Sequence, residues 1–62
     1  MEVRRILRLR HVIELTGFKR SSIYEMMNQS RFPKSRRIGL RAVGWDSIEI
    51  NEWVNSKLGV RA

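Results

Sequence analysis

A glycine at position 17 separates two apolar-periodic runs, and that break constrains the fold more than any other feature of the chain. Val12, Ile13 and Leu15 precede it; Ile23, Tyr24, Met26 and Met27 follow it. A glycine just past the last periodic residue can adopt the left-handed conformation that ends a helix. A turn of roughly three or four residues then swings the next helix across the first. The spacing predicts helix, turn, helix, the first over about 10–16 and the second from about Arg20 to Asn28 or Gln29.

In the first helix Val12 and Ile13 face inward and Glu14 outward; Leu9 falls at the cap position, where it offers no side-chain acceptor. In the second, Ile23 and Met27 are four apart and form the inner stripe. Tyr24 and Met26 lie at its margins, and Ser21, Ser22, Glu25 and Asn28 on its outer face. Before both helices, Leu7 and Leu9 alternate with Arg8, which fits a short extended lead-in with its leucines turned to the core. Lys19, Arg20, Ser21 and Ser22 open the second helix with groups suited to phosphates and base edges. An αα-corner with capping hydroxyls and solvated cations fits that stretch equally well, so the remainder of the chain must decide.

Beyond Ser30, the run Arg31-Phe32-Pro33-Lys34-Ser35-Arg36-Arg37 carries basic residues and no acid. Pro33 blocks helix continuation and drives Phe32 to extended geometry, where its ring can fold back as a core plug. Extended pieces at about 36–38 and 43–45 flank a glycine-containing tip, the pattern of a small hairpin, with Ile38 and Val43 or Trp45 facing the core and Arg41 at the tip. An isolated hairpin is marginal and must lean on the helices. Directly after a helix–turn–helix it stands where a wing would. Asp46 with Glu49 approximates a capping box, predicting a third helix over about 47–57. Ile50, Trp53, Val54 and Leu58 form its apolar stripe, and Gly59 ends it before a short tail. The two tryptophans read as core anchors.

Charge is segregated along the chain. Of the formal +7 at pH 7, residues 1–45 hold eleven Lys and Arg against three acids, +8, while 46–62 hold two against three, −1. Such a distribution implies one cationic face that attracts a polyanion and loses affinity as salt rises. At 62 residues the chain is expected to be a single domain, 1–62 with its core over about 5–58, too small for a deep catalytic cleft. Cysteine is absent and His11 is alone, which argues against a metal site; His11 reads as a surface residue near the positive face. Scattered carboxylates argue against an enzyme, and neither cofactor nor small-molecule substrate is expected. With no apolar run of membrane-spanning length and no signal-like apolar segment, the expectation is a cytoplasmic protein.

The combination Leu9-Arg10-His11-Val12, Leu15-Thr16-Gly17-Phe18, Ser21-Ser22-Ile23-Tyr24, Arg31-Phe32-Pro33, Gly44-Trp45 and Glu52-Trp53 resembles the AlpA family of small prophage-encoded regulators, over about residues 5–58. That family is related to excisionases and to the winged-helix domains of MerR-like proteins. The resemblance implies a mostly α fold with a small β-hairpin, a winged helix–turn–helix of three helices plus a wing. It implies a bacterial, nucleoid-associated protein that binds double-stranded DNA and regulates an integrase or other mobile-element gene, or assists excision directly. Ser21, Ser22 and Tyr24 match the start of the family's recognition helix, and Arg41 lies in its wing. Lys19 departs from the pattern, since relatives commonly carry Ser or Thr there; the change removes a helix cap and sets a cation against the dipole.

On this reading the second helix enters the major groove, with Arg20, Ser21, Ser22, Glu25 and Asn28 available to base edges. Lys19, Tyr24, Arg31, Lys34, Arg36 and Arg37 hold phosphates, and Arg41 sits in or beside the minor groove. One such domain covers few base pairs, so specific action on a genome predicts repeated sites or self-association. The rivals are an excisionase-type architectural factor, a small RNA-binding protein and a protein–protein adaptor on the same fold.

Overall fold

The computed structural model describes residues 3–59. Its elements run β1 (Ile6–Leu7), α1 (Leu9–Thr16), α2 (Arg20–Asn28), β2 (Arg36–Arg37), β3 (Val43–Asp46) and α3 (Ser47–Leu58). Gly17 ends α1 at φ 77°, its N–H donating to the Ile13 carbonyl, and Gly59 ends α3 at φ 75°. Thr16 reinforces the turn: its hydroxyl donates to the Val12 carbonyl at 2.7 Å and accepts from the Phe18 N–H at 3.3 Å. α1 starts one residue earlier than expected, with Arg8 at its cap; like Lys19 at the start of α2, Arg8 offers no capping bond. Asp46 does cap α3, its Oδ1 accepting from the Ile48 N–H at 2.9 Å.

The core takes one side chain from almost every segment: Val12 of α1, Ile23 of α2, Phe32 of the connecting loop, Trp45 of β3 and Ile50 of α3. Each buried group of this kind contributes about 1.5–3 kcal/mol relative to exposure. Both tryptophans also tie down the loop around Phe32. The Trp45 indole N–H donates to the Pro33 carbonyl at 3.0 Å, and that of Trp53 to the Arg31 carbonyl at 2.9 Å. Phe32 and Trp53 meet edge to face at 4.7 Å. The first of these bonds satisfies a part-buried loop carbonyl that would otherwise lack a partner, and together the contacts fix where the hairpin leaves α2.

The sheet departs from the two-stranded hairpin that the sequence suggested. It has three antiparallel strands in the order β1-β3-β2, because the lead-in strand pairs with β3 as well. The register sets Leu7 opposite Trp45, Ile6 opposite Asp46, Arg36 opposite Gly44 and Arg37 opposite Val43. Side chains alternate in strict period two, so Leu7 and Trp45 share the inner face while Ile6 and Ile38 fall on the outer one with Gly44. Ile38, expected in the core, is therefore exposed; of the alternatives Val43 and Trp45 it is Trp45 that is buried, while Val43, on the same face, is exposed. A Cβ added to Gly44 would lie 2.5 Å from the Ile6 side chain and 3.2 Å from that of Ile38, so glycine lets these two isoleucines close over the strand.

Further expectations are corrected. Leu58 is 71% exposed, because α3 runs one turn past the surface it packs on, and Leu15 is also exposed where α1 reaches its final turn. His11 is half-buried, its Nδ1 enclosed without a hydrogen-bond partner. Ser22 is half-buried where the outer face of α2 was expected. Glu49 does not complete a capping box with Asp46; it accepts from Arg36 Nη2 at 2.7 Å. The tail expected after Gly59 lies outside the described residues. None of the described helices is long and apolar enough to cross a membrane.

Candidate nucleic-acid interface

Cationic side chains from three separate segments meet between the start of α2 and the hairpin. Arg8 and Arg10 flank the half-buried Leu9 at the beginning of α1, and because Leu9 turns inward its neighbours turn out. Arg20 opens α2, and Arg41 comes from the bend that joins β2 to β3. With Tyr24 and Val43 they line an open hollow of about 490 Å³ that contains no acidic side chain. Tyr24 forms its inner wall. The ring packs edge to face on Trp45 at 6.3 Å, and the Arg20 guanidinium lies over it, 5.6 Å from the centroid. Arg20 is thereby held close to the protein surface, which lowers the conformational entropy an anion contact would cost.

Along α2, Ser21, Glu25 and Asn28 are spaced so as to fall on one face, and all three are exposed. Lys19 is exposed at the cap position. Arg31 is exposed, donating to Gln29 Oε1 at 3.3 Å. Arg37 is exposed on the outer strand, its Nη2 donating to the Leu40 carbonyl at 3.2 Å across the tip.

Lys34 and Arg36 stand in a different environment. Both line a second hollow shared with Glu49, Glu52 and Trp53. Arg36 pairs with Glu49 at 2.7 Å and lies 3.9 Å from Asp46, whose carboxylate also takes Arg4 Nε at 3.2 Å. The hydrogen bond that Arg36 donates to Glu49, then the negative charge of Glu49, holds the Arg36 pKa above its ordinary value, with desolvation opposing the effect and Asp46 adding to it. This network joins the lead-in, the hairpin and the start of α3; its charges are largely spent on each other.

The sequence-derived set thus divides. Arg20, Tyr24 and Arg41 come together with exposed α2 residues nearby in sequence, while Lys34 and Arg36 gather beside acids. Arg8 and Arg10 were absent from that set. Their alternation around an inward leucine was the available signal, but placing them beside Arg20 and Arg41 required β1 to pair with β3.

A helix–turn–helix with a hairpin wing hung beside its second helix, and arginines massed between the two, defines a small winged helix–turn–helix domain. The chain belongs to the AlpA family: residues 5–58 match the family model described as Prophage CP4-57 regulatory protein (AlpA). Among similar proteins is the "DNA-binding transcriptional activator AlpA" of Escherichia coli K12, 42% identical, with 86% of this chain and 84% of the relative covered. Another is "Uncharacterized protein ORF88" of Enterobacteria phage P4, 33% identical over 92% of this chain and 65% of the relative. No solved structure matches the chain.

Proposed function

We propose that this protein binds double-stranded DNA and regulates transcription of a prophage or mobile-element gene such as an integrase. The observation that carries the reading is the acid-free hollow in which Arg8, Arg10, Arg20 and Arg41 converge between helix and wing. Four guanidiniums converging without a nearby carboxylate repel one another, a cost that phosphate oxygens offset. The activator of E. coli that shares 42% identity supports the regulatory part.

In this arrangement α2 lies in the major groove. Ser21, Glu25 and Asn28 face base edges; Asn pairs with adenine and Glu accepts from cytosine, whereas Arg20 favours guanine or an adjacent phosphate. Ser22, half-buried, contributes to the helix footing more than to readout. Arg8 and Arg10 join Lys19, Tyr24, Arg31 and Arg37 in holding the backbone, and Arg41 reaches the neighbouring minor groove. Binding needs no cofactor, and the half-site covered by one domain calls for repeated sites or self-association.

The test is fluorescence anisotropy with random duplex DNA at low and moderate salt, for the wild type, Arg20→Ala, Arg41→Ala and, as a control far along α3, Lys57→Ala. Binding that weakens steeply with salt, falls in the first two variants and persists in the third supports the reading. Absence of binding at low salt refutes it.

A further inference from the structure

Leu40 is the most exposed large apolar side chain among the described residues, at 86%. Several of the other exposed apolar side chains gather with apolar neighbours. Leu15, Phe18 and Leu58 line one hollow with Trp53 and Val54, and Ile6 and Ile38 close over Gly44. Leu40 instead sits in the wing bend, next in sequence to Arg41 of the arginine hollow.

The bend that carries it is tied at two points. The Ile38 N–H donates to the Ala42 carbonyl at 2.9 Å, closing the turn. Arg37 Nη2 donates to the carbonyl of Leu40 itself at 3.2 Å. A backbone held in this way while its side chain stays in water stabilises nothing in the free protein. It presents a preorganised apolar knob between two cations.

We propose that Leu40 is a wedge that enters the minor groove, opens a base step and bends the DNA. The inference rests on the DNA-binding reading above and extends it. Apolar side chains such as leucine partly unstack a base step and kink the duplex toward the major groove, away from the wedge. Arg37 and Arg41 on either side supply the attraction to the negative groove that brings the wedge in. Pyrimidine–purine steps unstack most readily, so the wedge also gives sequence preference at a position where no hydrogen bond is made.

The deciding experiment is ligase-catalysed ring closure of a random-sequence duplex of about 100 bp, shorter than the ~150 bp persistence length. Wild type, Leu40→Ser and Leu40→Phe are each added at a concentration that anisotropy shows to saturate the DNA. Wild type should raise the closure rate about tenfold over bare DNA, and Leu40→Phe, which keeps an apolar wedge, should retain most of that gain. Leu40→Ser should bind a few-fold more weakly but, at saturation, close rings within about twofold of the bare rate. Equal closure by wild type and Leu40→Ser, or wild-type binding with no gain in closure, overturns the wedge and leaves DNA binding standing. A wild type that does not bind duplex DNA at low salt overturns both.

Discussion

Arg36 and Arg41 look interchangeable in the sequence, two cations flanking one glycine-containing turn, yet their surroundings predict different effects on DNA binding. Arg41 lies in a hollow with Arg8, Arg10 and Arg20 and no acid, whereas Arg36 is held by Glu49 and Asp46. Each phosphate neutralised contributes about −0.9 to the slope of log K against log salt. If the four hollow arginines each neutralise one phosphate charge, their share of the slope is about −3.6, a factor of roughly 150 between about 50 and 200 mM salt. Arg41→Ala should flatten the slope by about 0.9, so that the loss over the same interval shrinks by roughly 3.5-fold. Arg36→Ala should leave the slope nearly unchanged, because its charge is already matched, and should lower the melting temperature instead. Solution pH does not confuse the comparison. A guanidinium whose folded pKa is raised keeps its charge below its unfolded value and loses it only as pH rises through the folded one, far above assay conditions. Anisotropy titrations at four or more salt concentrations measure the slopes. Equal flattening in the two variants would refute the division between hollow and network.

Three other substitutions test the scaffold. Asp46→Ala removes the acceptor for the Ile48 N–H and leaves Arg4 and Arg36 without their shared carboxylate; loss of the cap alone should cost about 0.5–2 kcal/mol in thermal unfolding. Asp46→Asn keeps an acceptor and should cost less, and equal losses would argue against the cap. Lys19→Ser supplies a capping hydroxyl where α2 has none, so stability should rise by about 0.5–1 kcal/mol while DNA affinity falls; a destabilised variant would contradict the cap geometry. Trp45→Phe strands the Pro33 carbonyl and leaves space in the core, which should cost about 2–4 kcal/mol by chemical denaturation. A loss under about 1 kcal/mol would mean that Trp45 is not the anchor its burial implies.

The helices were legible because their signals are local. Gly17 and Gly59 stop α1 and α3 whatever surrounds them, Asp46 caps its own helix, and Pro33 keeps the segment after α2 from resuming as helix, which leaves Phe32 to turn into the core. The resemblance carried by the ordered motifs pointed to the AlpA family, to which the chain belongs. What escaped were the relations between distant segments. Ile38 was set on the wrong face because a two-stranded hairpin can be drawn in either register, and only the pairing of Leu7 with Trp45 fixes which residues turn inward. Leu58 continues the α3 stripe perfectly, but nothing packs over the final turn. Helical periodicity puts Ser22 on the outer face of α2, and the lack of partner ligands makes His11 read as a surface residue; neither signal carries information on how closely neighbouring elements approach.

The candidate interface divides along the same line. The sequence by itself determined that a cationic helix–turn–helix precedes a basic hairpin, since periodicity, helix stops and net charge depend only on which residues are close along the chain. It also determined that Arg20, Tyr24 and Arg41 belong in the candidate set. Tertiary structure alone decided which cations stay free. By pairing β1 with β3 it carried Arg8 and Arg10 to the wing, and by seating α3 behind the hairpin it gave Arg36 to Glu49 and Asp46. The reason is the range of the forces. Helix and turn preferences act over a few residues, but a charge is used or left available according to what lies within a few ångströms in space, and only the packed fold determines that.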